Sequence, residues 1–203
     1  MNTVSEYRKW VKDIIKEELK PFLLKNGFKT TGAASFYKIE PDLVKFIDLE
    51  FSRWNTYIAF AFWFNLHIYA GTFSEEKSIS IKLLVTKGSP LFFKNISFLR
   101  EKEFEQYQIT PATNMESLLN DIKTDFSSHV IPFSERFKCV EDFIGFAESE
   151  HKRLGQNDYS YRLAVMMAKS GRMSEAKKYF QESIGDREDL VKAAQIYGID
   201  LNS

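Results

Sequence analysis

The segment from Leu43 to Tyr69 places the strongest limit on the fold that this chain can adopt. Apolar residues occupy every second position there, in two runs on either side of a short polar stretch. The runs consist of Ile47, Leu49 and Phe51, followed by Phe60, Phe62, Phe64, Leu66 and Ile68. A period of two is typical of strands that bury one face. The segment therefore predicts an antiparallel hairpin with one apolar face.

The register of this hairpin is predicted from its connection. We take Trp54–Tyr57 as a four-residue loop. A shift by one residue would mix apolar and polar side chains on both faces, so the alternation excludes such a shift. The predicted cross-strand pairs are Phe51 with Phe60, Leu49 with Phe62 and Ile47 with Phe64.

Further elements on both sides of the hairpin predict an α+β fold. An N-terminal helix begins with a capping box at Thr3 and Glu6, is interrupted near Pro21 and ends at Gly27. Additional strands are predicted at about Ala34–Ile39, Ser78–Thr86, Asn95–Leu99 and Gln108–Thr110, and helices around residues 115–126 and 140–147. Because no crossover helix separates the strands, we predict an antiparallel meander of about four to six strands with helices on one face.

The composition changes after about Gln156, where alanine, methionine and lysine replace the aromatic strands. Small and large apolar residues follow the spacing of one tetratricopeptide-like helical pair. A third helix is predicted from Arg187 to Tyr197, with Asp186 as its N-cap. We therefore predict an α+β domain over residues 1–152 and a helical segment over residues 153–203. A single repeat has no neighbours with which to form a binding groove.

The composition narrows the class of protein. Lysine plus arginine equals aspartate plus glutamate, at 28 each, so the bulk charge does not favour a nucleic-acid partner. The single cysteine, Cys139, excludes an internal disulfide and suits a reducing compartment. No signal peptide is visible, and the most apolar run, at 57–70, is too short to span a membrane. We therefore expect a cytoplasmic protein without a membrane partner.

Several of these sequence features follow one another along the chain in a recognisable order. They are Leu24-Lys25-Asn26-Gly27-Phe28-Lys29, Ser35-Phe36-Tyr37-Lys38, the strand Phe46–Glu50, the aromatic strand into Asn65-Leu66, and the helix break Val130-Ile131-Pro132-Phe133. In this order the chain resembles the bacterial domain-of-unknown-function 4304 family over roughly residues 7–147. The resemblance implies a bacterial, cytoplasmic accessory protein and supplies no catalytic residue or cofactor.

The sequence contains none of the common catalytic motifs. The three histidines are far apart and lack the spacing of metal ligands. The sequence contains neither a glycine-rich phosphate loop nor a Gly-x-Ser-x-Gly elbow. We therefore expect no metal, no cofactor and no catalytic residues.

The best candidate binding residues lie on the polar face of the hairpin. They are Asp48, Glu50, Trp63, Asn65 and His67. In the predicted register Asp48 lies beside Trp63, Glu50 beside Ala61 and Val44 beside His67. Alternating carboxylates on a half-buried strand are usually a wetted surface, whereas an exposed tryptophan favours contact with a partner.

Three functions follow from these observations. We favour a non-enzymatic protein that binds another protein, such as an immunity or accessory factor for a toxin or effector. The alternative is a small-molecule-binding enzyme or hydrolase that uses Asp48, Glu50 and His67. RNA binding through the Phe60–Phe64 strand is a third interpretation, although the alternation places those rings in the core. The sequence leaves the oligomeric state and the identity of the partner open.

Overall fold

The structure is a computed structural model that describes residues 3–70, 90–100, 105–154, 160–183 and 186–201. The chain divides into two compact units, Met1–Lys138 and Cys139–Ser203. The helix Val140–Leu154 therefore belongs to the second unit. A boundary between independent domains at residue 152 stays a prediction.

The first unit is built on an antiparallel sheet, in which six strands fall within the described residues. The strands are β1 (Lys29–Thr30), β2 (Ser35–Ile39), β3 (Leu43–Phe51), β4 (Phe60–Ala70), β5 (Phe92–Asn95) and β6 (Tyr107–Ile109). Strands β1 to β5 are neighbours in chain order, and β6 also pairs with β4. Strand β5 pairs with residues 65–68 and β6 with residues 60–62, so these two strands lie end to end along one edge of β4. The predicted α+β fold with an antiparallel sheet is confirmed.

The N-terminal helix begins and ends as its sequence predicts. It comprises α1 (Val4–Ile14), a π turn (Ile15–Leu19) and α2 (Lys20–Lys25). At its start the Thr3 hydroxyl accepts from the backbone N–H of Glu6, and the Glu6 carboxylate accepts from the backbone N–H of Thr3. At its end Gly27 has a φ of +82°, and the N–H of Phe28 donates to the carbonyl of Leu23 at 3.0 Å. This is the hydrogen-bond pattern of a Schellman motif.

A second helix in this unit repeats the interruption seen in the first. It comprises α3 (Met115–Asp125), a π turn (Phe126–Val130) and α4 (Ile131–Glu135). In both helices a proline, Pro21 or Pro132, is the second residue after the π turn. Proline has no N–H and its ring clashes with the carbonyl four residues before it, so the wider turn accommodates a residue that a regular helix excludes. The predicted interruption at Pro21 takes this form.

The aromatic face of the sheet forms the core of the first unit. Phe60, Phe62 and Phe64 are exposed by 0%, 0% and 1%, as the alternation predicts. Helices cover this face: the ring of Tyr7 lies 5.7 Å from that of Phe60, and the ring of Phe126 lies 5.0 Å from that of Phe64. The three phenylalanine rings are therefore not available for stacking on RNA bases.

The predicted register of the hairpin is wrong by two residues. Phe51 pairs with Phe62 and not with Phe60, and Leu49 pairs with Phe64. A shift by two keeps every side chain on the same face, so the alternation cannot exclude it. The buried faces are correct, but each cross-strand neighbour differs from the prediction.

The connection between β3 and β4 explains this difference. It covers residues 52–59 and is wider than the predicted four-residue loop. The side chain of Asn55 pairs with the backbone of Ala61, donating to its carbonyl at 2.9 Å and accepting from its N–H at 2.6 Å. The Thr56 hydroxyl accepts from the N–H of Ala59 at 3.2 Å. These side chains satisfy backbone groups that a tight turn would pair directly, which favours the longer loop.

The remaining predicted strands have three outcomes. The strand at Gln108–Thr110 is confirmed as β6. The strand predicted at Asn95–Leu99 is wrong in its position, because the strand ends at Asn95 and a 3₁₀ helix, Ile96–Arg100, follows it. The side chain of Asn95 accepts from the N–H of Ser97 at 2.8 Å and stabilises the start of this helix. The predicted strand at Ser78–Thr86 lies outside the described residues.

A charged network lies at one end of the sheet's core. Lys45 is fully buried on the same face as Ile47, and its Nζ lies 2.8 Å from Oε1 of Glu40. Burial lowers the pKa of Lys45, while the hydrogen bond and charge of Glu40 act in the opposite direction. The network continues through Lys138 to Glu135, which also pairs with Lys38 at 2.7 Å. It connects β2, β3 and α4 by charge.

The second unit is helical. Its helices are α5 (Val140–Leu154), α6 (Ser160–Lys169), α7 (Met173–Glu182) and α8 (Arg187–Ile196). Helices α6 and α7 form the predicted hairpin, joined through Gly171 at a φ of +76°. Leu163, Met167 and Phe180 are fully buried. The carboxylate of Asp186 accepts from the backbone N–H of Glu188 at 2.9 Å, which confirms the predicted N-cap of α8.

Candidate functional site

The second face of the sheet carries a polar row across three strands. Asp48 of β3 pairs with Asn65 of β4, which in turn pairs with Asn95 of β5. Asp48 therefore lies beside Asn65, whereas the sequence predicted Trp63 as its neighbour. Asn65 and Asn95 are only 2% and 6% exposed. Within the described part of the chain, the amide Nδ2 of each has no hydrogen-bond partner. Two buried donors of this kind can bind an acceptor such as a bridging water molecule.

His67 lies next to this row, opposite Phe46 rather than Val44. Its Nε2 is 3.0 Å from Oδ1 of Asp48, and its Nδ1 is 3.4 Å from the hydroxyl of Tyr69. Its ring lies 4.7 Å from that of Phe93. Both ring nitrogens therefore have a partner on the protein. A general base needs a nitrogen directed at its substrate, so this arrangement does not favour His67 as a base.

The remaining predicted site residues lie toward the loop end of the sheet. Glu50 is exposed and pairs with Trp63, which is half-buried, and not with Ala61. The structure thus brings Asp48, Asn65 and His67 together in one cluster, with Glu50 and Trp63 adjoining it. As a binding surface, the five residues stay a prediction.

At its other end the second face is apolar and buried, which the sequence analysis missed. Val44, Phe46 and Tyr69 are exposed by 0%, 4% and 2% and form a cluster with Tyr37 and Ile39. Burial raises the pKa of Tyr69, and the nearby charge of Asp48 acts in the same direction. The alternate spacing of Val44 and Phe46 was the available signal, and it indicated a strand that is buried on both faces.

Among the described residues of the first unit, the most exposed apolar surface is the tip of the β3–β4 loop. We define this tip by Arg53, Trp54, Tyr57 and Ile58. Trp54 is 81% exposed, Ile58 57% and Tyr57 49%. The Arg53 guanidinium lies 6.0 Å from the centre of the Trp54 ring. The sequence analysis treated this stretch only as a connection, although tryptophan, tyrosine and arginine are the residues that dominate protein interfaces.

The tip is held in one conformation by its own polar residues. Asn55 makes two hydrogen bonds to Ala61, and Thr56 accepts from the N–H groups of Ile58 and Ala59. The loop therefore presents its apolar side chains on an ordered backbone. Such pre-organisation lowers the entropic cost of ordering the loop when it binds a partner.

Neither a metal centre nor a membrane-spanning helix is found in the described parts of the chain. Among the described residues, no group of three or more histidine, cysteine, aspartate or glutamate side chains is placed to hold a metal ion. Within the same ranges, no helix has both the length and the apolar character needed to cross a bilayer.

Comparison with known protein families gives a match. The family described as "Domain of unknown function (DUF4304)" matches residues 19–136. This range lies inside the segment for which the sequence predicted the resemblance, and it contains the whole sheet described above. No curated protein and no solved structure matches the chain.

Proposed function

The chain belongs to the DUF4304 family, and from this premise we propose that it acts as a non-enzymatic protein-binding module in the bacterial cytoplasm. We propose an immunity or accessory factor for a toxin or effector as the class of protein. The observation that carries the proposal is the ordered loop tip, where Trp54 is 81% exposed. When a partner covers an exposed tryptophan of this kind, apolar surface is removed from water and the free energy falls.

The chemistry of the tip indicates the kind of partner. Trp54, Tyr57 and Ile58 offer a compact apolar contact, and exposed Arg53 adds a positive charge beside it. The complementary surface is an apolar depression with a carboxylate at its rim. The polar face around Asp48 and the helical C-terminus are the contact surfaces predicted from the sequence, and each stays a separate proposal.

The geometry of His67 favours binding over hydrolysis. Both ring nitrogens have protein partners, at 3.0 and 3.4 Å, and Asn65 is almost completely buried beside them. A hydrolase would need His67 to release one of these partners before it could accept a proton from water. Binding through the tip needs no such rearrangement.

The test is recovery of a partner by the full chain carrying a tip substitution. Wild-type protein is expected to retain a partner in stoichiometric amount, and Trp54→Ala is expected to weaken the purified complex by about 30-fold or more, as at an interface hot spot. Leu24→Ala is the matched control, because Leu24 is 45% exposed, lies in the first unit and belongs to none of these contact surfaces. Both substitutions should leave stability within about 0.5 kcal/mol.

Two results would contradict this proposal. One is equal affinity of the wild-type protein and Trp54→Ala for the purified partner. The other is turnover of a small molecule that is abolished by Asp48→Asn, which would favour the hydrolase. The toxin assignment has its own readout: co-expression must restore growth to cells that produce the partner.

A further inference from the structure

A cavity of about 410 Å³ lies in the first unit, between the edge of the sheet and helix α3. Its walls come from the end of the 3₁₀ helix, from β6 with the two residues before it, and from α3. The lining residues are Arg100, Glu105, Gln106, Tyr107, Gln108, Leu118, Asp121, Thr124 and Asp125. The volume falls in the range of small-molecule sites.

The inner wall of the cavity is a buried polar network. Asp125 is 6% exposed, and its Oδ2 accepts from the Tyr107 hydroxyl at 2.5 Å and from Nη1 of Arg100 at 3.1 Å. Arg100 also donates to Oε2 of Glu105 at 2.7 Å. Burial, followed by the hydrogen bond and charge of Asp125, raises the pKa of Tyr107 well above its usual range. The phenol therefore stays neutral and does not alter the charge of the cavity.

The charge of the lining has a definite sign. Among the described lining residues, three carboxylates, those of Glu105, Asp121 and Asp125, face one guanidinium, that of Arg100, which leaves an excess of two negative charges in this set. A cleft lined with an excess of one sign of charge attracts ions of the opposite sign, here cations. No trio of these carboxylates is placed to hold a metal ion, as far as the described residues extend. Glu105 lies just before β6, whereas Asp121 and Asp125 lie on α3, so the carboxylates come from two walls of the cavity, which suits an extended cation.

We propose that this cavity binds a small organic cation, and that a linear diamine matches it best. One ammonium group pairs with Asp121 and the other with Glu105, at the exposed positions of the lining. The methylene chain lies against Leu118, which is 8% exposed. Gln106 and Gln108 supply further acceptors. The proposal is independent of the protein-binding function and concerns different residues.

The test is calorimetric titration of the full chain with 1,4-diaminobutane at low salt. The expected result is saturable binding that weakens as salt is added, because the contacts are charged. The uncharged analogue 1,4-butanediol has the same chain length and is expected not to bind. Asp121→Asn is expected to weaken binding of the diamine by about 1.4- to fivefold, the range for an exposed ion pair.

Glu17→Gln provides the matched control, because it also removes one exposed helical carboxylate from the first unit but lies outside the cavity lining. It should bind the diamine like the wild type. Tryptophan fluorescence confirms that each variant is folded before the titration. The proposal is overturned if the diol binds as well as the diamine, if Asp121→Asn binds like the wild type, or if no saturable binding is seen up to about 10 mM.

Discussion

Replacing Glu40 by glutamine is expected to destabilise the first unit, because it leaves the Lys45 ammonium in the core without its carboxylate. Lys45 is fully buried, whereas the side chain of Glu40 is 14% exposed. At their separation of 2.8 Å, the attraction is about 6 kcal/mol for an effective dielectric constant of about 20. Much of that attraction offsets the desolvation of Lys45, so it is not a net gain.

The magnitude follows from what remains after each substitution. Removing one partner of a buried pair costs about 3–5 kcal/mol. We expect the lower end for Glu40→Gln, about 3 kcal/mol, because the side chain of Glu40 is partly exposed. Lys45→Met removes the buried charge itself and is expected to be neutral or stabilising by about 1 kcal/mol. The double variant should recover most of the loss.

The stability that Glu40→Gln loses should also depend on pH. Burial lowers the pKa of Lys45 below its usual value of 10.5, while Glu40 acts to raise it, so Glu40→Gln lowers the pKa further. Between the folded and unfolded pKa values the unfolded state binds more protons, and stability therefore rises with pH. The difference between the wild type and Glu40→Gln should shrink as the pH rises from about 7 toward 10.

Urea unfolding followed by tryptophan fluorescence measures these differences. All three tryptophans, Trp10, Trp54 and Trp63, lie in the first unit, so the signal reports on that unit alone. The reasoning is refuted if Glu40→Gln costs less than about 1 kcal/mol, or if Lys45→Met costs more than Glu40→Gln. A cost that stays constant between pH 7 and 10 would refute the assignment of the charge to Lys45.

Three further predictions use the same unfolding assay. Partial burial acts to raise the pKa of Glu135, but hydrogen bonds from two lysines outweigh it and lower the pKa to about 2 from 4.5. The stability of the wild type should therefore fall as the pH drops from 4.5 toward 2. Glu135→Gln should lose less stability over that interval. Gly27→Ala should cost about 1–2 kcal/mol, because φ is +82° and the new Cβ lies 3.3 Å from Nζ of Lys38. Asn114→Ala should cost about 1 kcal/mol, because its Oδ1 accepts from two backbone N–H groups at the start of α3. An unchanged pH profile, or a midpoint equal to that of the wild type for either of the other two variants, would contradict the corresponding prediction.

The sequence predicted the faces of the sheet but not the pairing of its residues. A period of two separates odd from even positions, so it placed Phe62 and Phe64 in the core. The same period cannot distinguish two registers that differ by an even number of residues. The register depends instead on Asn55, whose amide pairs with the backbone of Ala61, and a side-chain contact of this kind has no signature in the hydrophobic pattern.

Contacts between distant segments were the other part that the sequence could not predict. Lys45 stands in the apolar register of β3, yet only the turn that brings Glu40 to it shows how a lysine can be buried there. Likewise, the cavity combines Arg100 with Asp125, and this pairing requires the 3₁₀ helix to lie against α3. Helix caps were predicted correctly because the caps at Thr3, Gly27 and Asp186 involve only residues that are close to them in sequence.

The π turn at Ile15–Leu19 has a consequence for deletions. A regular helix advances by about 100° per residue, so one residue removed from the wide turn would rotate all that follows by about that angle. Leu23, now completely buried, would then point away from the core, and the chain after Gly27 would enter β1 in a different direction. The length of this turn therefore sets the angular phase between the first helix and the sheet, and homologues are expected to conserve the spacing before Pro21 more strictly than the residues that fill it.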